Sequence, residues 1–94
     1  MRHYETVFIL DSKLDENSVE KEITKVKELV QFQKGEVVKI DKWGRKRLAY
    51  EIKDRQEGYY VVINFTSSPE RLNELERNFK LNDLVLKHII VKGK

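Results

Sequence analysis

Two stretches of this chain repeat their apolar residues at helical spacing, and four others carry the β-branched and aromatic runs of strands. Their order is the strongest constraint on the fold. Tyr4 to Leu10 is a strand, rich in Val, Phe, Ile and Tyr, that stops at Asp11-Ser12. The first helix then has a defined start. Asp15 is its cap, and Leu14 before the cap sits at the offset that lets it pack on Val19. Val19, Ile23, Val26 and Val30 follow at helical spacing, with Glu and Lys opposite, and Gly35 closes the helical region.

Glu36 to Lys42 alternates polar and apolar residues and predicts a half-exposed strand. Trp43-Gly44 marks a bulge or bend, after which the strand resumes through Arg47-Leu48-Ala49-Tyr50. Lys53 to Gly58 reads as a polar turn, and Tyr59 to Phe65 as the most strand-like segment of all. Ser68-Pro69 opens the second helix with a capping serine and a proline at the first helical position, where no N–H is needed. Leu72, Leu75 and Phe79 form its stripe, Asn82-Asp83 ends it, and Leu84 to Val91 is a last strand. Strand, helix, strand, strand, helix, strand is the α+β, ferredoxin-like split βαβ pattern. It places two helices on one face of a four-stranded antiparallel sheet. A chain of 94 residues makes this one domain, residues 1–94.

Two helices cover one sheet face only, so each strand should alternate apolar inward and polar outward. Val7-Phe8-Ile9-Leu10 and Tyr59-Tyr60-Val61-Val62-Ile63 are apolar at both parities. The outward set, Tyr60 and Val62 included, is expected to face outward with no second layer over it. Such a stripe marks a partner site, although scattered apolar residues on a sheet face are also ordinary β-propensity. Lys39, Lys42, Arg45, Lys46 and Arg47 fall close together, with Trp43 and Tyr50 interleaved and only Asp41 opposing them. Cations that reach phosphates and aromatics that stack unpaired bases make an RNA footprint. The same charges also protect an edge strand from mispairing, and the two readings are compatible.

Chemistry is thinly represented. There is no cysteine, which removes disulfides and thiolate metal sites and fits a reducing compartment such as the cytoplasm. The only histidines are His3 and His88, one near each end, which antiparallel pairing of the first and last strands would bring towards each other. With no carboxylates in a ligand pattern, neither a metal site nor a cofactor is expected. The four glycines lie apart and form no phosphate loop, and Ser67-Ser68 reads as capping rather than a nucleophile. No stretch reads as a signal peptide, and no apolar run approaches the ~20 residues of a membrane helix. The net charge of +3 leans towards an anionic partner. These features point to a binding module and away from an enzyme.

Met1-Arg2-His3-Tyr4-Glu5, Trp43-Gly44-Arg45-Lys46-Arg47-Leu48-Ala49-Tyr50, Glu57-Gly58-Tyr59-Tyr60 and Leu81-Asn82-Asp83 occur in that order along the chain. Together they resemble the bacterial small-subunit ribosomal protein number six family, over essentially the whole length. The resemblance implies a structural role in the 30S subunit. It also implies binding to the central domain of 16S ribosomal RNA as a heterodimer with the eighteenth small-subunit protein. By position, Arg45, Lys46, Arg47, Leu48 and Tyr50 then form the partner-facing strand, with Arg45 and Lys46 also assigned to RNA. Tyr60 and Val62 join the partner set from the outer face, while Arg2, Trp43, Lys87 and Lys92 are assigned to RNA. Glu51 stands where the family often has proline, and the acidic C-terminal tail of some members has no counterpart in Gly93-Lys94.

Two other functions fit the same element order. An RNA-recognition motif would need its third strand to read basic, Gly, aromatic, small, aromatic. Gly58-Tyr59 begins that pattern, but Tyr60 and Val61 break it. An acylphosphatase-like enzyme would need an arginine and an anion cradle after the first strand. Asp11-Ser12-Lys13-Leu14-Asp15 is acidic at both ends and has neither arginine nor glycine.

Overall fold

Alternation along the two central strands decides the architecture. In a computed structural model, which describes residues 1–93, the elements run β1 (Arg2–Asp11), α1 (Glu16–Phe32), β2 (Glu36–Ile52), β3 (Arg55–Ser67), α2 (Leu72–Leu81) and β4 (Val85–Lys92). The four strands form one sheet in the order β2-β3-β1-β4, and every neighbouring pair is antiparallel. This is the ferredoxin-like arrangement expected from the sequence. Tyr4, Phe8 and Leu10 of β1 and Tyr59, Val61, Ile63 and Phe65 of β3 point to one side. There they meet Val19, Ile23, Val26 and Val30 of α1 and Leu75 and Phe79 of α2. Full burial of such a side chain is worth about 1.5–3 kcal/mol, so this layer carries most of the stability. Phe8 and Phe79 seal its centre with ring centroids 5.0 Å apart. The buried Thr6 hydroxyl is satisfied by donating to the Ile89 carbonyl at 2.8 Å.

Asp15 caps α1 as expected, its carboxylate accepting from the Ser18 N–H at 2.8 Å. That hydrogen bond is the main reason its carboxyl is held below the ordinary value. The other end differs from expectation. The left-handed residue is Lys34 (φ 69°), not Gly35, and Lys34 and Gly35 donate back to Gln31 and Val30 in a Schellman closure. Gly35 is glycine for space: a Cβ there would lie 2.2 Å from the Thr66 carbonyl oxygen. Ser68 also departs from its expected role. Its side chain makes no capping hydrogen bond; its carbonyl accepts from Arg71, and a short 3-10 turn over Pro69–Arg71 leads into α2.

The expected polar turn from Lys53 to Gly58 shrinks to two residues. Ile52 pairs with Arg55, and Lys53 and Asp54 both take positive φ (50° and 64°), the primed turn that matches strand twist. The saved residues lengthen the β2–β3 hairpin into an arm. His3 and His88 do not meet. His88 pairs with Phe8 in the β1–β4 ladder and stacks on Phe79 at 5.1 Å, while the His3 carbonyl takes the Gly93 N–H at the far end of the sheet. Among the described residues, no group of His, Cys, Asp and Glu could hold a metal ion.

Candidate nucleic-acid and partner interface

Strand β2 holds most of the cations singled out above, and its bulges decide where they go. The ladder to β3 passes from Lys42↔Val61 to Gly44↔Tyr60, leaving Trp43 as an extra residue. Gly44, at φ +83°, supplies the left-handed backbone of that kink. An extra residue reverses the parity of everything that follows. Lys42 and Arg45 therefore face the helices. Lys42 pairs with Glu20 of α1, and this hydrogen bond raises the pKa of its ammonium. Arg45 donates to the carbonyls of Ser12 (3.0 Å) and Leu14, with its guanidinium 5.7 Å from the Tyr59 ring centroid. Lys39 is matched by Asp41 at 3.5 Å. The compact basic cluster of the sequence is thus dispersed, and Arg45 is engaged in fastening the loop between β1 and α1.

Lys46 lies on the other face of the sheet. Its ammonium is 5.1 Å from the centroid of the Trp43 ring, which is 51% exposed. Trp43 in turn stacks on Tyr60, with centroids 6.4 Å apart and planes 16° from parallel. Across the sheet at the same level, Tyr60 pairs with Ile9 and Ile9 with Lys87. The Lys87 ammonium donates to the Tyr50 hydroxyl at 2.8 Å and lies 5.2 Å from that ring's centroid. The Tyr50 contact raises the pKa of Lys87. Two lysine–aromatic pairs therefore occupy this face, one on β2 and one bridging the arm to β4. A cation beside an exposed ring is held weakly, enough to orient these groups.

Between the pairs the face is closed, contrary to the expectation of an open apolar stripe. The arm curls over, and Leu48 packs with Ile9 and Leu86, with Ile52 and Tyr60 around them. Gly58 lies beneath, where a Cβ would strike the Ile9 side chain at 2.2 Å. Leu48 is only 7% exposed and Val62, flanked in the ladders by Val7 and Asp41, only 3%. The extended hairpin supplies the layer the helices cannot and buries Leu48 with Ile9 and Leu86, while Val62 is buried between its neighbours in the sheet. Apolar surface remains instead on the edge strand, at Ile89 (47%) and Val91 (46%). The run Ile89-Ile90-Val91 is apolar at both parities, the same signal noted in the first and third strands, and could have pointed to them.

The other assigned residues lie apart. Arg47 pairs with Glu57 in the ladder on the helix side and borders an open cleft with Ser12, Asp54, Arg55 and Gln56. Arg55 there is already bound to Asp11 at 3.2 Å. Arg2 (opposite Ser67) and Lys92 (opposite Tyr4) are exposed at the far end of the sheet. Counting along β3 from Tyr60 to Ser67, that end is roughly 23 Å from the Trp43 row at about 3.3 Å per residue. The structure thus brings together Trp43, Lys46, Tyr50, Tyr60 and Lys87, sets Arg2 and Lys92 in a second station, and gives Arg45, Leu48 and Val62 internal contacts.

Comparison with known proteins agrees with this fold. Residues 3–92 match the family model for ribosomal protein S6. Small ribosomal subunit protein bS6 of Clostridium beijerinckii is 46% identical over 91 residues, covering 97% of this chain and 96% of that protein. The protein of the same name from Clostridium perfringens is 47% identical over 92 residues, covering 98% and 97%. The crystal structure of 30S ribosomal protein S6 from Thermotoga maritima superposes with a TM-score of 0.92 at 30% identity, over 98% of this chain and 87% of that one. This chain belongs to the ribosomal protein S6 family, whose members are structural components of the small ribosomal subunit and not enzymes.

Proposed function

We propose that this protein acts by assembly in the ribosome, in the cytoplasm. It binds the central domain of 16S ribosomal RNA jointly with the eighteenth small-subunit protein, as a heterodimer. The observation that carries the reading is the pair of lysine–aromatic contacts on the face opposite the helices. Aromatic rings that stay half exposed beside an ammonium suit unpaired bases and their phosphates. In this reading Trp43, Lys46 and Lys87 serve RNA on that face, with Arg2 and Lys92 as a second phosphate station. Arg47 and the exposed Ile89 and Val91 serve the protein partner, while Tyr60 backs Trp43 and Tyr50 holds Lys87. The few cations available make RNA binding by the chain alone weak and salt-dependent. A bound partner with its own RNA contacts makes the second contact intramolecular and raises avidity by ~10²–10⁴.

The test is RNA binding on the central-domain junction, titrated with salt, with and without the partner. The proposal predicts tight binding only in the presence of the partner, weakened by Lys46→Glu. Tight binding to generic single-stranded RNA without the partner would replace it with the recognition-motif reading.

A further inference from the structure

We propose that Trp43, Tyr60 and Lys46 form a seat for a single unpaired nucleobase, with purines favoured over pyrimidines. The inference rests on the RNA-binding reading above and adds to it the place and the chemical form of one contact. Three observations converge on this spot. Trp43 is the extra residue of a bulge, so its ring is lifted out of the β2 ladder and stays half exposed. It is also backed: Tyr60 lies near-parallel beneath it, and Tyr60 packs against the closed cluster of Ile9, Leu48 and Leu86. A ring with a fixed neighbour meets its ligand already oriented, which lowers the ordering cost of binding. Finally, the Lys46 ammonium sits at the ring and forms no ion pair among the described residues.

A nucleotide uses all three features together. Its base lies on the indole, and its phosphate takes the ammonium. A base contact on an aromatic exceeds the hold of an exposed cation on a ring, so the lysine yields the ring and follows the phosphate. A protein side chain would use less. An apolar one leaves the ammonium unmatched, and an acidic one leaves the indole bare. The bicyclic indole overlaps a purine over more area than a pyrimidine, which gives the order of preference. Tyr50, the other aromatic of the basic segment, is already bonded through its hydroxyl to Lys87.

Trp43 is the only tryptophan in the sequence, so its emission reports on this seat alone. The experiment titrates the intact chain with end-labelled oligoadenylate, oligouridylate and an abasic ribose-phosphate strand of equal length. Binding is read by label anisotropy and stacking by tryptophan quenching. We expect quenching by oligoadenylate, less by oligouridylate and none by the abasic strand. Trp43→Ala should weaken oligoadenylate binding about 5- to 150-fold with an unchanged salt slope. Trp43→Phe should recover much of that loss. Lys46→Ala should reduce the salt slope by about 0.7. Thermal melts check that the variants remain folded. RNA that binds without quenching, or with equal affinity for Trp43→Ala, overturns the seat while leaving the RNA-binding reading intact. A partner protein that abolishes quenching while tightening RNA binding also overturns it, since Trp43 then meets protein. Failure of every strand and of the junction RNA to bind, with or without the partner, defeats the parent reading itself.

Discussion

The two faces of the sheet follow the same alternation and reach different ends. Under the helices, Phe8, Val61 and Ile63 are completely buried in a continuous core drawn from five of the six elements. The opposite face receives no helix, yet Ile9 and Leu86 are nearly as dry, because the β2–β3 arm folds Leu48 and Ile52 onto them. A thin local cover closes the centre of that face and leaves its rim available. The rim is where Lys46–Trp43 and Lys87–Tyr50 stand. Strand β2 also divides its cations between the faces. Lys42 and Arg45 fasten α1 and the loop before it, while Lys46 remains with the exposed ring. Cations adjacent in sequence thus perform structural work on one face and remain beside an exposed ring on the other.

If the helix-side layer is the principal core, Phe8→Ala should cost about 3–5 kcal/mol of stability in urea unfolding. Leu48→Ala should cost about 2 kcal/mol, the low end for such truncations, because its cluster is small and collapses easily. Hydrogen exchange should then quicken in residues 48–52 and not in α1. Equal costs for the two substitutions would erase the distinction between a core and a cover. Arg45→Ala should cost roughly 1 kcal/mol, for an exposed hydrogen-bonded contact with a ring beneath it.

The smallest effects follow pH. Burial against Phe79 lowers the pKa of His88 below its ordinary 6.5, with Glu76 opposing and Lys80 reinforcing that shift. The unfolded chain then binds the proton more readily, so stability is full above about pH 6.5 and declines as pH falls towards the depressed value. His88→Gln should flatten that decline. For Asp11, burial pushes the carboxyl up, but hydrogen bonds from Lys13 and Arg55 and their charges outweigh it and leave it below 3.8. Its contribution is present above that value and is lost as pH falls through the lowered one, a second and more acidic step in the melts.

Much of this was legible in the chain. The element order, the Asp15 cap and the bulge at Trp43-Gly44 follow from spacing and local chemistry. The consequence of the bulge did not. A one-residue insertion decides whether Arg45 or Lys46 faces α1, and sequence shows a kink more readily than the parity beyond it. The arm was hidden for another reason. Leu48-Ala49-Tyr50-Glu51-Ile52 alternates as any strand does, and nothing local tells how far a hairpin extends or onto what it bends. The expected polar turn from Lys53 to Gly58 likewise contracted to Lys53-Asp54, where strand twist overrode residue preference.

The most direct measurement compares Lys46→Ala with Arg45→Ala for binding of the central-domain junction RNA in the presence of the partner protein, alongside thermal melts. Lys46→Ala should lose affinity and salt dependence at an unchanged melting temperature. Arg45→Ala should lower the melting temperature and keep the affinity of the folded protein. Equal losses of RNA affinity from the two substitutions would contradict the division of β2 between a structural and a binding face.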